Sequence, residues 1–144
     1  MKKKSKASFK KVSALAKNPK AMPSAVSKSY ASRTAKHFGR MNDPSVSAYL
    51  KGICGDDMEF YIVITNKIIT DIQFYTQMGC EATIACGSTV AQLALGKSID
   101  EAMSISPQKI LKALNDGLPE NHRHCAILAV STFYKAIAYY LLQD

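Results

Sequence analysis

Between Met58 and Thr76 the apolar residues recur at every second position: Phe60, Ile62 and Ile64 form one set, and Ile68, Thr70, Ile72 and Phe74 continue it. A period of two puts each set on one face of an extended chain, so "MEFYIVITNKIITDIQFYT" predicts a β-hairpin. The turn falls at Asn66 and Lys67, where Asn tolerates the left-handed backbone of a tight turn and Lys stands where Gly would be ideal. Upstream, "VSAYLKG" predicts a shorter strand. Before it, "SRTAKHFGRM" predicts a short helix, capped by Ser32 and limited by Pro44.

After Cys80 the period lengthens to that of a helix. "EATIACGSTVAQLAL" runs to Gly96, a natural C-terminal stop, and Ser98 and Glu101 in "SIDEAMSI" have the spacing of a capping box. "SPQKILKALNDG" predicts a further helix with Pro107 in its first turn and Gly117 after its end. From about His124 to Leu142, Ile127, Val130, Tyr134, Ile137 and Leu141 fall at steps of three and four, an apolar stripe on one long C-terminal helix. A small antiparallel sheet followed by several helices is an α+β domain.

Composition changes this picture at one end only. The 144 residues, 47% of them apolar, suffice for one core and not for two. The net charge of +8 is lopsided: residues 1–40 hold 12 Lys and Arg and no acid, while residues 41–144 hold 7 bases and 11 acids. Residues 1–30, rich in Lys, Ser and Ala and broken by Pro19 and Pro23, are expected to be a disordered basic tail, and residues 31–144 the folded domain. Only Phe9 and Tyr30 are aromatic in that tail, so the interleaving that stacks bases is missing and specific nucleic-acid binding is not expected. The opening Lys cluster and the single Arg before residue 35 weigh against a transit peptide. No apolar h-region of a secretory signal stands at the start, and no membrane span is expected.

Four cysteines without an export signal point to a reducing compartment, the cytoplasm, where thiols bind metal, do redox chemistry or pack as small apolar groups. Cys54, Cys80 and Cys125 are separated by 26 and 45 residues, which is no paired Cys-x-x-Cys spacing. Each falls at the edge of an expected element: Cys54 in a Gly-flanked connection, Cys80 before a helix, Cys125 in the first turn of the last helix. Gly52, Gly55 and Gly79 suit the tight approaches that would bring them to one rim. A helix N-terminus favours the thiolate at Cys125. Asp56, two residues from Cys54 in a locally extended chain, shares its side, and His124 is a further candidate ligand. Three thiolates with one oxygen or nitrogen donor suit zinc or an iron-sulfur cluster. The bland alternative is a set of scattered buried cysteines. Cys86, six helical positions beyond Cys80, points away and reads as a packed core residue. Glu81 reads as an acid at a helix N-terminus, His122 as an exposed loop histidine, and His37 as packed at its helix end or facing solvent.

Taken together, "GICGDDMEFYIVI", "FYTQMGCEATIACGSTVAQLALGKSIDEA" and "LPENHRHCAILAVSTFYKAI" resemble the NifU-like N-terminal domain, the IscU-type scaffold on which iron-sulfur clusters are assembled before delivery. The likeness spans roughly residues 32–142. It implies a three-stranded antiparallel sheet packed against helices, with cluster cysteines at Cys54, Cys80 and Cys125, the aspartate at Asp56 and the histidine at His124. It implies a transient 2Fe-2S cluster built from iron and from sulfur supplied by a cysteine desulfurase, then passed to acceptor apoproteins. A homodimer is left open. Where IscU proteins carry a Leu-Pro-Pro-Val-Lys segment gripped by a dedicated heat-shock chaperone, this chain has "LPENHR", so that partnership does not carry over.

The implied role is not that of an enzyme: there is no Gly-rich phosphate loop, no Walker Lys and no Ser-His-Asp set in a recognisable context. The competing reading is a zinc-binding sulfur acceptor of the SufU type, using the same four residues to hold Zn in the resting state.

Overall fold

A computed structural model describes residues 35–143. The strands are β1 (Val46–Lys51), β2 (Asp57–Thr65) and β3 (Ile68–Tyr75), antiparallel in the order β1-β2-β3. Then come α1 (Glu81–Ala94), α2 (Ile99–Ala102), α3 (Pro107–Ala113), a 3-10 turn at Glu120–His122, and the long α4 (His124–Leu142). This is the α+β architecture that the patterning predicts, a small sheet covered by helices.

β2 occupies the centre and, flanked on both edges, buries more of its residues than either β1 or β3. Its register lines up rows across the sheet: Ala48, Phe60 and Phe74 in one, Val46, Ile62 and Ile72 in the next, all buried. α1 and α4 close over that face. Phe133 of α4 meets Phe60 edge-on at 5.9 Å between ring centroids. α1 comes so close that a Cβ on Gly87 would lie 2.5 Å from the Phe74 ring, so only glycine fits there.

The hairpin turns at Asn66 and Lys67, with φ of 53° and 64°, the paired left-handed conformation of a two-residue turn. Its second strand departs from the alternation expected for it. Val63 pairs with Asp71 but Ile64 pairs with Ile69, so Thr70 is an extra residue and the strand bulges. Ile69 is therefore fully buried, while Ile68 is 37% exposed and Thr70 faces solvent. Period-two reading fails at a bulge because one inserted residue exchanges the two faces.

Two helical expectations are also corrected. Among the described residues the segment around His37 is a turn: His37 has φ of 69°, its carbonyl accepts from Phe74 N at 2.8 Å, and Gly39 N donates to Phe74 O at 2.8 Å. The free edge of β3 offers hydrogen bonds that a short helix would leave unmade. Half-buried His37 has its pKa lowered, mainly by desolvation. Ser32 and the basic tail of residues 1–30 lie outside the described residues. On α4, Val130 and Ile137 are buried, but Ile127 is 55% and Leu141 61% exposed; Ala126, Ala129, Phe133 and Ala136 complete the packed face. The stripe is rotated toward small residues because they let the helix approach the sheet.

The remaining helix signals appear in place. The Ser98–Glu101 capping box is formed in both directions, and Pro107 opens α3. α3 ends before Gly117, where Asn115 and Asp116 adopt φ of 53° and 55°. By length and composition the stretch Glu120–Leu142 could cross a membrane, yet half of its most apolar window is buried within the fold, as in a core helix.

Candidate metal centre

Three element boundaries meet at one end of the sheet. Cys54 lies in the turn between β1 and β2, Cys80 caps the start of α1, and Cys125 sits in the first turn of α4. All are free thiols, with Cys54 exposed, Cys80 half-buried and Cys125 buried. Gly52 N donates to Asp56 O at 2.7 Å and Gly55 N to Gly52 O at 3.2 Å, so the chain folds back on itself between Cys54 and Asp56. A tight turn thus brings the Asp56 carboxylate to the Cys54 thiol, where the sequence suggests an extended segment.

Cys80 Sγ lies 3.9 Å from Cys125 Sγ. Between them and Asp56 stands Thr83, a residue that sequence reading overlooks. Its hydroxyl donates to Asp56 Oδ2 and lies 3.5 Å from Cys80 Sγ and 3.4 Å from Cys125 Sγ. The signal was available, since Thr83 follows Cys80 by three residues at a helix start, which places both on one face. The Asp56 carboxylate also accepts from Cys80 N at 3.4 Å. Burial alone raises the pKa of Asp56, but the hydrogen bonds from Thr83 and Cys80 outweigh it and leave it lowered.

The environment shifts the two thiols in opposite directions, Cys80 down and Cys125 up. Hydrogen bonding from the Cys125 thiol, and then from Thr83, pulls Cys80 down to about 5 against the cost of its burial. Cys125, donating to Cys80 and enclosed by protein, is pushed up. At both thiols the largest influence is the hydrogen bond between the two sulfurs, followed by burial.

A second overlooked residue holds the loop that delivers Cys80. Asp57, buried, takes three donors on Oδ1: Thr76 Oγ1 at 2.9 Å, Gln77 N at 3.0 Å and Met78 N at 3.0 Å. The Tyr49 hydroxyl donates to Oδ2 at 3.2 Å. Burial opposes the charge on Asp57, yet these donors leave its pKa lowered. The pinned loop closes so tightly that a Cβ on Gly79 would lie 2.3 Å from Thr76 Oγ1 and 2.9 Å from Thr83 Cγ2.

The histidines divide between the thiols. His122 Nδ1 lies 3.8 Å from Cys80 Sγ, half-buried, although its sequence context reads as an exposed loop. His124 Nε2 lies 3.0 Å from Cys54 Sγ. The two rings run side by side, 6.3 Å apart and inclined by 27°. Cys80, His122 and Cys125 present ligand atoms that all lie within 4.8 Å of one another. Soft sulfur with imidazole and carboxylate fits zinc or iron chemistry. Cys86 is fully buried in the core, where desolvation raises its pKa, and Glu81 occupies the first turn of α1.

The chain is similar to known proteins in sequence and in fold. The family model described as "NifU-like N terminal domain" matches residues 12–144. The iron-sulfur cluster assembly scaffold protein IscU 1 of Archaeoglobus fulgidus is 36% identical over 122 residues, covering 80% of this chain and 78% of that protein. The scaffold protein IscU of Escherichia coli K12 is 39% identical over 102 residues, 69% of this chain and 77% of its own length. Among solved structures, the N-terminal NifU-like protein of Brucella abortus superposes with a TM-score of 0.66 over 82% of this chain and 93% of that one, at 15% identity. FiSufU of Fervidobacterium islandicum AW-1 gives 0.65 over 81% and 97%, at 18% identity. At such identities the structural likeness concerns the fold.

Proposed function

Because the chain belongs to the NifU-like N-terminal domain family, we propose that it is a scaffold that builds a 2Fe-2S cluster as cargo and passes it to acceptor apoproteins. The observation that carries this reading is the meeting of Cys80 Sγ and Cys125 Sγ at 3.9 Å, beside Asp56 and at a boundary open to solvent through Cys54. Cys54, Cys80 and Cys125 supply thiolates, and Asp56 supplies a harder ligand that an incoming acceptor thiol displaces readily. His124 is the alternative for that fourth place.

Sulfur arrives as a persulfide on a cysteine desulfurase. One scaffold thiolate attacks the outer sulfur and the donor cysteine leaves as its thiolate, so this transfer needs no electrons. Reducing the transferred sulfur to sulfide takes two electrons from an external reductant. Fully exposed Ile53 and 65% exposed Met78 flank Cys54 and Cys80, apolar positions against which a protein donor or acceptor can seat. The cytoplasm supplies the reducing conditions that free thiols require.

The test is anaerobic reconstitution with iron, cysteine, a dithiol reductant and a desulfurase, followed by visible absorption and Mössbauer spectroscopy. The expected product is one 2Fe-2S centre per protein or protein pair, passed to an apo-ferredoxin. Asp56→Ala is expected to assemble the centre but transfer it more slowly. An unchanged rate would shift the fourth ligand to His124. A zinc-only protein that takes up persulfide without forming a cluster would favour the SufU-type sulfur acceptor.

A further inference from the structure

One hydroxyl stands among three groups that compete for its proton. Thr83 Oγ1 contacts the Asp56 carboxylate, Cys80 Sγ at 3.5 Å and Cys125 Sγ at 3.4 Å, and the residue is fully buried. A hydroxyl carries a single proton, and sulfur is a weak acceptor beside a charged carboxylate oxygen, so the proton goes to Asp56. We propose that Thr83 is a positioning residue for cluster delivery, acting through Asp56: its hydrogen bond keeps that carboxylate a weakly held ligand that an acceptor thiol can displace. This inference rests on the scaffold reading, in which Asp56 is the fourth ligand, and specifies what makes that ligand exchangeable.

The first turn of α1 fixes the hydroxyl in place. Thr83 follows Cys80 by three residues, so both stand on one face of the helix start. Its methyl group is set against the preceding loop, where a Cβ on Gly79 would lie 2.9 Å from Thr83 Cγ2. The hydroxyl is left facing Asp56 and the two sulfurs. Asp56 Oδ2 has a second donor, Cys80 N, but at 3.4 Å that bond is longer than an ordinary N–H···O bond, and Thr83 supplies the firmer hold.

A donated hydrogen bond draws charge from a carboxylate, and a carboxylate with less charge to give binds iron more weakly. The same bond stays with the carboxylate once it is released, so Asp56 is not left without a partner in its half-buried place. The step is a ligand substitution. The incoming thiol gives its proton to solvent, an iron–sulfur bond forms as the iron–oxygen bond breaks, and no electrons are transferred.

The two branches of the threonine side chain can be removed separately. Thr83→Val keeps the shape and loses the donor; Thr83→Ser keeps the donor and loses the methyl group. With a cluster reconstituted anaerobically on the full chain, Thr83→Val is expected to assemble it but to pass it to apo-ferredoxin on the order of 10-fold more slowly. Thr83→Ala, a second variant without the donor, carries the same expectation, and Thr83→Ser is expected to transfer like the unaltered protein. In an Asp56→Ala background Thr83→Val is expected to change the rate by less than about twofold, since its effect runs through the missing carboxylate. Isotope-edited infrared absorption of the metal-free chain reads the contact itself. The Asp56 carboxylate stretch, identified by difference from Asp56→Ala, is expected to shift in Thr83→Val and to stay in place in Thr83→Ser. Circular dichroism confirms that each variant is folded. Slow transfer in Thr83→Ser with normal transfer in Thr83→Val would make the residue a packing element and overturn the proposal. So would a Thr83→Val effect that persists in full without Asp56, or a carboxylate stretch indifferent to the donor. If the unaltered protein assembles no cluster while the infrared shift is present, the scaffold reading falls and the delivery role with it, and only the Thr83–Asp56 contact remains.

Discussion

At the packed face of the sheet, Phe60, Phe74 and Phe133 are fully buried, with the Phe60 ring against both of the others, whereas at the thiol end Cys80, His122 and Asp56 stay half-buried. The first region is held by removing apolar surface from water, which is non-directional and tolerates any arrangement that fills space. The second is held by directed contacts: three donors converge on Asp57 Oδ1, and one hydroxyl, that of Thr83, touches a carboxylate and two sulfurs. A rigid core lets a polar rim hold reactive groups at fixed separations without burying them all. The difference predicts that the two regions fail separately, one losing stability and the other losing its cargo.

The largest separation should come from the cysteines. Replacing Cys54, Cys80 or Cys125 singly by Ala is expected to abolish a stable cluster, read by visible absorption after reconstitution, while thermal unfolding of the metal-free protein changes little. Cys86→Ala is expected to keep the cluster. A Cys86 variant that loses it while the Cys80 variant retains it would erase the distinction between core and rim thiols.

On the core side, Phe133→Ala is expected to cost about 3–5 kcal/mol in denaturant unfolding, because it removes a fully buried ring and leaves a cavity against Phe60. Material that still folds should assemble the cluster like the unaltered protein. A loss below about 1 kcal/mol would show that the helix–sheet contact collapses around the gap.

Asp57 couples the two regions, since it begins a core strand and pins a rim loop. Asp57→Ala leaves two backbone N–H groups and the hydroxyls of Thr76 and Tyr49 without their acceptor and is expected to cost about 1–3 kcal/mol. It should also weaken metal binding through the displaced Cys80. Asp57→Asn retains an acceptor oxygen and is expected to recover most of the binding. If Ala and Asn behaved alike, the loop would be held by packing and not by this carboxylate.

The smallest effect is expected from deleting residues 1–30, because the periodic apolar segments all lie beyond them. Unfolding and cluster assembly should be unchanged. The family match begins at residue 12, inside that stretch, so a truncated protein without a cooperative transition would extend the domain into the basic segment.

Local pattern sufficed wherever neighbours along the chain decide the conformation. The turn at Asn66–Lys67, the Ser98–Glu101 capping box, Pro107 at the head of α3 and the span of α1 are all legible, because caps and turns involve residues two to four apart. The family motifs likewise marked the residues around which the candidate site is drawn. What the sequence could not convey depends on partners distant in the chain. The bulge at Thr70 exchanges the faces of Ile68 and Ile69, and the phase of α4 follows the surface it meets, not its own stripe. Pairings across 42 and 70 residues decide which histidine meets which thiol: His122 faces Cys80, and His124 faces Cys54. The lowered pKa of Cys80 likewise depends chiefly on a distant neighbour, the Cys125 thiol 45 residues along the chain. The sequence determined the elements and the reactive residue types; only the tertiary structure, by setting separations of 3 to 4 Å between groups from different elements, determined which of them can act together.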